Sequence, residues 1–126
     1  DEFPILAIAA AKAHGTTKMS GIGELRVKET DRVKVMAKGL RACGVIVEYD
    51  DENMFVTGQQ SSGGIKGGAI ISAEHDHRIA MSFLILGSVT DNPVTVTGCD
   101  TIKTSFPCFQ EIMNKLGTNI IIGDDL

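Results

Sequence analysis

A mixed α/β (α+β) fold built from two copies of one unit is what the sequence predicts, and three observations carry it. Residues 4–14 (PILAIAAAKAH) and 78–86 (RIAMSFLIL) are nearly all apolar, and each runs up to a glycine, Gly15 and Gly87. Each is followed by a segment of strand character and then by an amphipathic helical segment that also ends at glycine. The spacing recurs: Gly15 to Gly44 is 29 residues and Gly87 to Gly117 is 30. A period of this size is what repeated supersecondary units produce.

The elements follow in order from local signals. Asp1 and Glu2 precede the first apolar stretch, Pro4 sits in its first turn and Gly15 follows it, which predicts a buried helix. Residues 16–22 have strand character. Thr30 or Asp31 caps a second helix with Val33, Met36, Ala37 and Leu40 on one face and Gly44 as its stop. Residues 45–49 and 54–57 make two strands around an Asp-Asp-Glu-Asn turn. In the second half, 78–86 is again a helix and 94–97 a strand. Ser105 caps a helix bearing Phe109, Ile112, Met113 and Leu116, Gly117 stops it, and 119–122 closes as a strand. Unit one thus covers about 1–60 and unit two about 69–123. Between them, residues 59–68 (QQSSGGIKGG) read as a polar, flexible connection. A unit of this kind cannot cover its own apolar helix, so the expected arrangement is buried helices with sheets outside, with a seam left exposed.

Composition excludes several classes. With 43% hydrophobic and 22% charged residues in 126, the chain is that of a globular domain with a real core. No apolar run approaches the roughly 18 residues of a membrane span. A net charge of −4 argues against nucleic acid as a partner. Cys43, Cys99 and Cys108 show no C-x-x-C spacing, so neither zinc nor a disulfide framework is implied, and a reducing, cytoplasmic location is expected. The chain starts without Met or a signal-type stretch and reads as part of a longer protein.

Three clusters carry chemistry. Asp1 stands ahead of an apolar helix, where it either caps the helix or, with its charged form favoured by the dipole, accepts a proton from a substrate hydroxyl. In residues 26–32 (RVKETDR) five of seven side chains are charged. They are either a solvated loop or an anion grip, with Lys28 and Arg32 four apart, Glu29 between them, and helix N–H donors nearby. His75-Asp76-His77-Arg78 opens the second apolar helix. Asp76 is the default cap, and two histidines without a third ligand make no metal site. Arg78, at the head of an apolar helix, needs an anionic partner if buried. Thr104 and Ser105 mirror the second cluster, with hydroxyls where charges stood.

Taken together, DEFPILAIAAAKAHGTT, ELRVKETDR, DHRIAMSF and TSFP, in that order, resemble the 5-enolpyruvylshikimate-3-phosphate synthases from Asp1 to about Ile120. The resemblance implies an enolpyruvyl-transferase domain made of three βαβαββ units, of which this chain holds two. It implies transfer of the enolpyruvyl group of phosphoenolpyruvate to the 5-hydroxyl of shikimate 3-phosphate, with release of phosphate and no metal or organic cofactor. The remaining partner is then the rest of the same enzyme. By motif, Asp1 matches the proton acceptor at the shikimate ring and Lys28 the lysine shared by both substrates. Glu29 matches the acid that exchanges a proton with the methylene carbon, and Arg32 and Arg78 the pair that clamps phosphoenolpyruvate. Glu24 stands where many members have Asn, and Thr104 where many have Lys, with Lys103 one place off; no contact is carried to these. Two rival readings remain: the sister transferase acting on UDP-N-acetylglucosamine, which RVKETDR and DHRIAM disfavour, and a non-catalytic anion-binding or assembly module.

Overall fold

The computed structural model describes residues 2–28, 30–59, 63–98, 102, 109–118 and 120–121. Helix α1 (Phe3–Lys12) begins where Pro4 loses nothing by lacking an N–H. Its N-cap position is Glu2, whose side chain makes no capping bond; Asp1, the candidate cap of the sequence reading, lies outside the described residues. The helix buries Phe3, Ala7, Ile8, Ala10 and Ala11 but leaves Ile5 and Leu6 40% and 53% exposed. The expectation of a helix buried all round therefore holds for one side only, and an apolar seam stays open on the other.

Strand β1 (Thr16–Ser20) leads through a short 3-10 helix (Gly23–Val27) into α2 (Arg32–Ala42). Asp31 caps α2, its Oδ1 accepting from Lys34 N at 3.1 Å, as the sequence predicted. Strands β2 (Ile46–Tyr49) and β3 (Asn53–Thr57) follow as a hairpin. Its turn is fixed by Asp50 Oδ1, which accepts from the Glu52 and Asn53 N–H groups at 2.9 and 2.8 Å. The three strands form one antiparallel sheet in the order β1-β3-β2. Met54 and Val56 of the central strand point into the core and are fully buried.

Two further strands, β4 (Ile65–Gly67) and β5 (Ile70–Ser72), precede α3 (His77–Gly87); β6 (Thr90–Asn92) and β7 (Thr95–Thr97) follow it. β4 pairs parallel with β6 and β5 with β7. Part of the stretch expected to be a flexible connection is thus strand. The reason is Ile65, whose side chain is 1% exposed and anchors an otherwise polar, glycine-rich segment in the core. Gly67 is needed there: its φ is +70°, and an added Cβ would meet Asn92 O and Thr90.

Helices α1, α2 and α3 pack against one another, while β2, β3, β5, β6 and β7 lie against them from outside. This is the layering of buried helices and outer sheets expected of the α+β fold. Close helix contact depends on small residues. Gly39 of α2 receives the Phe83 ring of α3 directly, with no room for a methyl group.

Helix α4 (Phe109–Lys115) is where periodicity misleads. Phe109 is buried, yet Ile112 and Leu116 are 43% and 76% exposed. Gly117 does stop the helix, with φ +112°. The closing strand expected over 119–122 is not seen at Ile120 and Ile121. There the backbone is taken by α4 side chains, Gln110 Nε2 and Asn114 Nδ2 donating to Ile120 O at 2.8 and 3.1 Å. Residues 119 and 122, and the Ser105 cap, lie outside the described residues.

Candidate anion site

The site is built where the starts of α2 and α3 meet. Arg32 is the first residue of α2, and Arg78 is the second of α3. Asp76 caps α3, its Oδ1 accepting from Arg78 N at 3.1 Å and Ile79 N at 3.5 Å. The same carboxylate accepts from Arg32, Nε to Oδ2 at 2.9 Å and Nη2 to Oδ1 at 3.4 Å. Thr30 Oγ1 donates to Oδ2 at 3.1 Å. Arg32 and Asp76 are 1% and 0% exposed, so this is a fully buried ion pair.

Both partners are held from behind. Arg26 Nε donates to Asp31 Oδ2 at 3.1 Å, bracing the cap of α2. The guanidiniums of Arg26 and Arg41 lie 5.5 and 5.6 Å from the Tyr49 ring centre, tying that brace to the β2–β3 sheet. On the other side, Glu74 and His75 both adopt left-handed backbone, φ 52° and 63°. Two consecutive non-glycine residues in that region cost about 1–2 kcal/mol each. They are kept there by His75 N donating to Gly98 O at 3.0 Å and Asp76 N to Ala73 O at 2.9 Å. The strain turns the chain sharply from β5 into α3 and delivers Asp76 to Arg32.

Burial alone would push the Asp76 carboxyl up, but the Arg32 guanidinium, the Thr30 hydroxyl and the Ile79 N–H outweigh it. They hold it below its ordinary 3.8. A carboxyl depressed in the folded state adds stability that is complete above the unfolded value, about pH 4, and is lost as pH falls through the folded one. Wild-type protein should therefore lose stability below about pH 4 more steeply than Asp76→Asn, which has no such proton to bind. Urea midpoints collected from pH 6 downward read the difference; parallel curves would contradict it.

Of the sequence-predicted residues, the fold brings Arg32 and Arg78 to one corner. Lys28 stands exposed at the end of the 3-10 helix and enters none of the bonds joining Arg32 to α3. Asp1 and Glu29 lie outside the described residues. Arg32 carries the fully buried ion pair with Asp76, while Arg78 is half-buried. Asp76 was foreseen as a cap but not as the counter-ion of Arg32. No local signal marked that pairing, because the two residues are 44 apart in sequence. A groove of about 440 Å³ runs beside the start of α1, lined by Glu2, Phe3, Leu6, Met19, Ser20 and Ile22. A second, of about 460 Å³, lies between Thr30, Asp31, Lys34, Val35, Lys38 and Glu74. Among the described residues no group of three His, Cys, Asp or Glu side chains could hold a metal ion, and no helix is long and apolar enough to cross a membrane.

A sequence profile of EPSP synthase (3-phosphoshikimate 1-carboxyvinyltransferase) matches residues 1–113. The chain belongs to the EPSP synthase family. Two 3-phosphoshikimate 1-carboxyvinyltransferases, from Phenylobacterium zucineum and Paramagnetospirillum magneticum, are each 54% identical over 95% of this chain. The chain spans 26% of the length of these two relatives. The solved EPSP synthase of Acinetobacter baumannii superposes with a TM-score of 0.91 at 44% identity, over 98% of this chain and 28% of that one. An enolpyruvyl transferase from Streptomyces tendae shares the fold at a TM-score of 0.70 and 22% identity. In this member of the EPSP synthase family, the starts of α2 and α3 are joined through Asp76, which accepts from Thr30 and Arg32.

Proposed function

We propose that residues 1–126 form part of an enzyme transferring the enolpyruvyl group of phosphoenolpyruvate to the 5-hydroxyl of shikimate 3-phosphate, with release of phosphate. The observation that carries this reading is the corner where Arg32 and Arg78, at the starts of two helices, are joined through Asp76. Cations beside helix N-termini suit a small, multiply charged anion, because fixed N–H dipoles and guanidiniums need no reorganisation when charge develops. Membership of the EPSP synthase family supports the choice of substrates.

In this reading Arg32 and Arg78 orient phosphoenolpyruvate, and Lys28 sits between the two substrates. Asp1 takes the proton of the attacking hydroxyl as its oxygen bonds to C2 of phosphoenolpyruvate, while Glu29 delivers a proton to the methylene carbon. Loss of phosphate, which carries off the proton held by Asp1, from the tetrahedral adduct, with return of a methyl proton to Glu29, leaves the enol ether. The other substrate contacts come from the rest of the same cytoplasmic enzyme, outside these two repeated units.

Phosphate release measured with both substrates tests the reading. A full-length enzyme containing residues 1–126 should turn over, and residues 1–126 alone should show negligible rate. Turnover by the isolated chain would overturn the claim that it holds only part of the site. Activity of the full-length enzyme with UDP-N-acetylglucosamine in place of shikimate 3-phosphate would overturn the choice of acceptor.

A further inference from the structure

We infer that Asp76 is a positioning residue for phosphoenolpyruvate, fixing Arg32 and the first turn of α3, which carries Arg78, as one unit. The inference rests on the reading that these two arginines hold that substrate, and it assigns Asp76 no contact with substrate itself.

Helix capping does not account for Asp76. A cap needs one neutral oxygen acceptor, which Ser, Thr or Asn supplies equally well. Here both oxygens are in use. Oδ2 accepts from Arg32 Nε and Thr30 Oγ1, and Oδ1 from Arg78 N, Ile79 N and Arg32 Nη2. That fills the acceptor capacity of a carboxylate. The charge itself answers Arg32, since neither group tolerates 0–1% exposure without an opposite charge. A planar guanidinium bonded along its Nε–Nη2 edge can no longer rotate, so the carboxylate dictates the direction in which the other edge faces. The two motifs are 44 residues apart in sequence, and the left-handed pair Glu74–His75 is the strained turn that brings them into contact.

Steady-state kinetics of a full-length enzyme carrying residues 1–126 test this. Asp76→Asn keeps a cap acceptor and removes the charge. It should raise KM for phosphoenolpyruvate and lower kcat/KM for it about 10–30-fold, while KM for shikimate 3-phosphate moves less than about threefold. Thr30→Val, which removes a single donor to the same carboxylate, should give a milder loss with the same substrate preference, and it carries the test if Asp76→Asn does not fold. Because Asp76 acts through Arg32, the double variant with Arg32→Gln should lose no more than Arg32→Gln alone. Additive losses, or equal damage to both substrates' KM, would mean a merely structural role and overturn the inference. Normal phosphoenolpyruvate use in Asp76→Asn and Thr30→Val, with Arg32→Gln and Arg78→Gln impaired, would overturn this inference alone. Normal kinetics in both arginine variants would instead remove the proposed function beneath it.

Discussion

Arg32→Ala in a full-length enzyme should lower stability by about 3–5 kcal/mol, because it leaves the Asp76 carboxylate charged and buried without its counter-ion. The same variant should cut kcat/KM for phosphoenolpyruvate about 100-fold, the value of a lost charge-assisted contact. These two effects have different causes and can be separated. A buried ion pair contributes little net stability compared with apolar side chains of similar size, because desolvation offsets its attraction. Arg32→Met combined with Asp76→Ser removes both charges while keeping a hydroxyl to cap α3. That double variant should recover most of the stability lost by Arg32→Ala and none of the activity. Denaturation midpoints and phosphate-release kinetics on the same preparations provide both readings. If Arg32→Ala unfolds at the wild-type midpoint, the pair is not the buried counter-ion link described above. If the double variant regains phosphoenolpyruvate use, Arg32 is a structural residue only.

Much of the framework was legible because it is written in local signals. The apolar runs of α1 and α3, bounded by Pro4, Gly15 and Gly87, needed only composition and punctuation to be found. Asp31 and Asp76 were readable as caps for the same reason: a capping bond spans two or three residues. Strand β4 was not, because three residues amid glycines carry no period, and it is the tertiary burial of Ile65 that makes them a strand. Periodicity also overreached at α4, where it marked an apolar face on Ile112 and Leu116 but said nothing of what covers it. The site divides in the same way. That cations gather at two helix starts is visible in RVKETDR and DHRIAM. That one of them is wholly buried against Asp76 depends on packing between residues 44 apart, which no local pattern encodes.

Arg78 makes the complementary case. It is half-buried, whereas Arg32 is 1% exposed, so its charge keeps partial access to solvent. Its place in α3 is secured by its backbone, through the bond from its N–H to Asp76 Oδ1, and alanine at the same position keeps that bond. Arg78→Ala should accordingly cost less stability than Arg32→Ala, because the buried Arg32–Asp76 pair stays intact. Its effect should fall on binding, with kcat/KM for phosphoenolpyruvate lower by about 10–100-fold and KM for shikimate 3-phosphate nearly unchanged. Lysine at this position should restore only part of the loss, because an ammonium supplies charge without the planar fork that grips a carboxylate or phosphate with two bonds. Two arginines at two helix starts would then respond differently to the same substitution, one in folding and substrate use together and one mainly in substrate use. An Arg78→Ala protein that unfolds several kcal/mol early, or one that keeps wild-type phosphoenolpyruvate kinetics, would break that division.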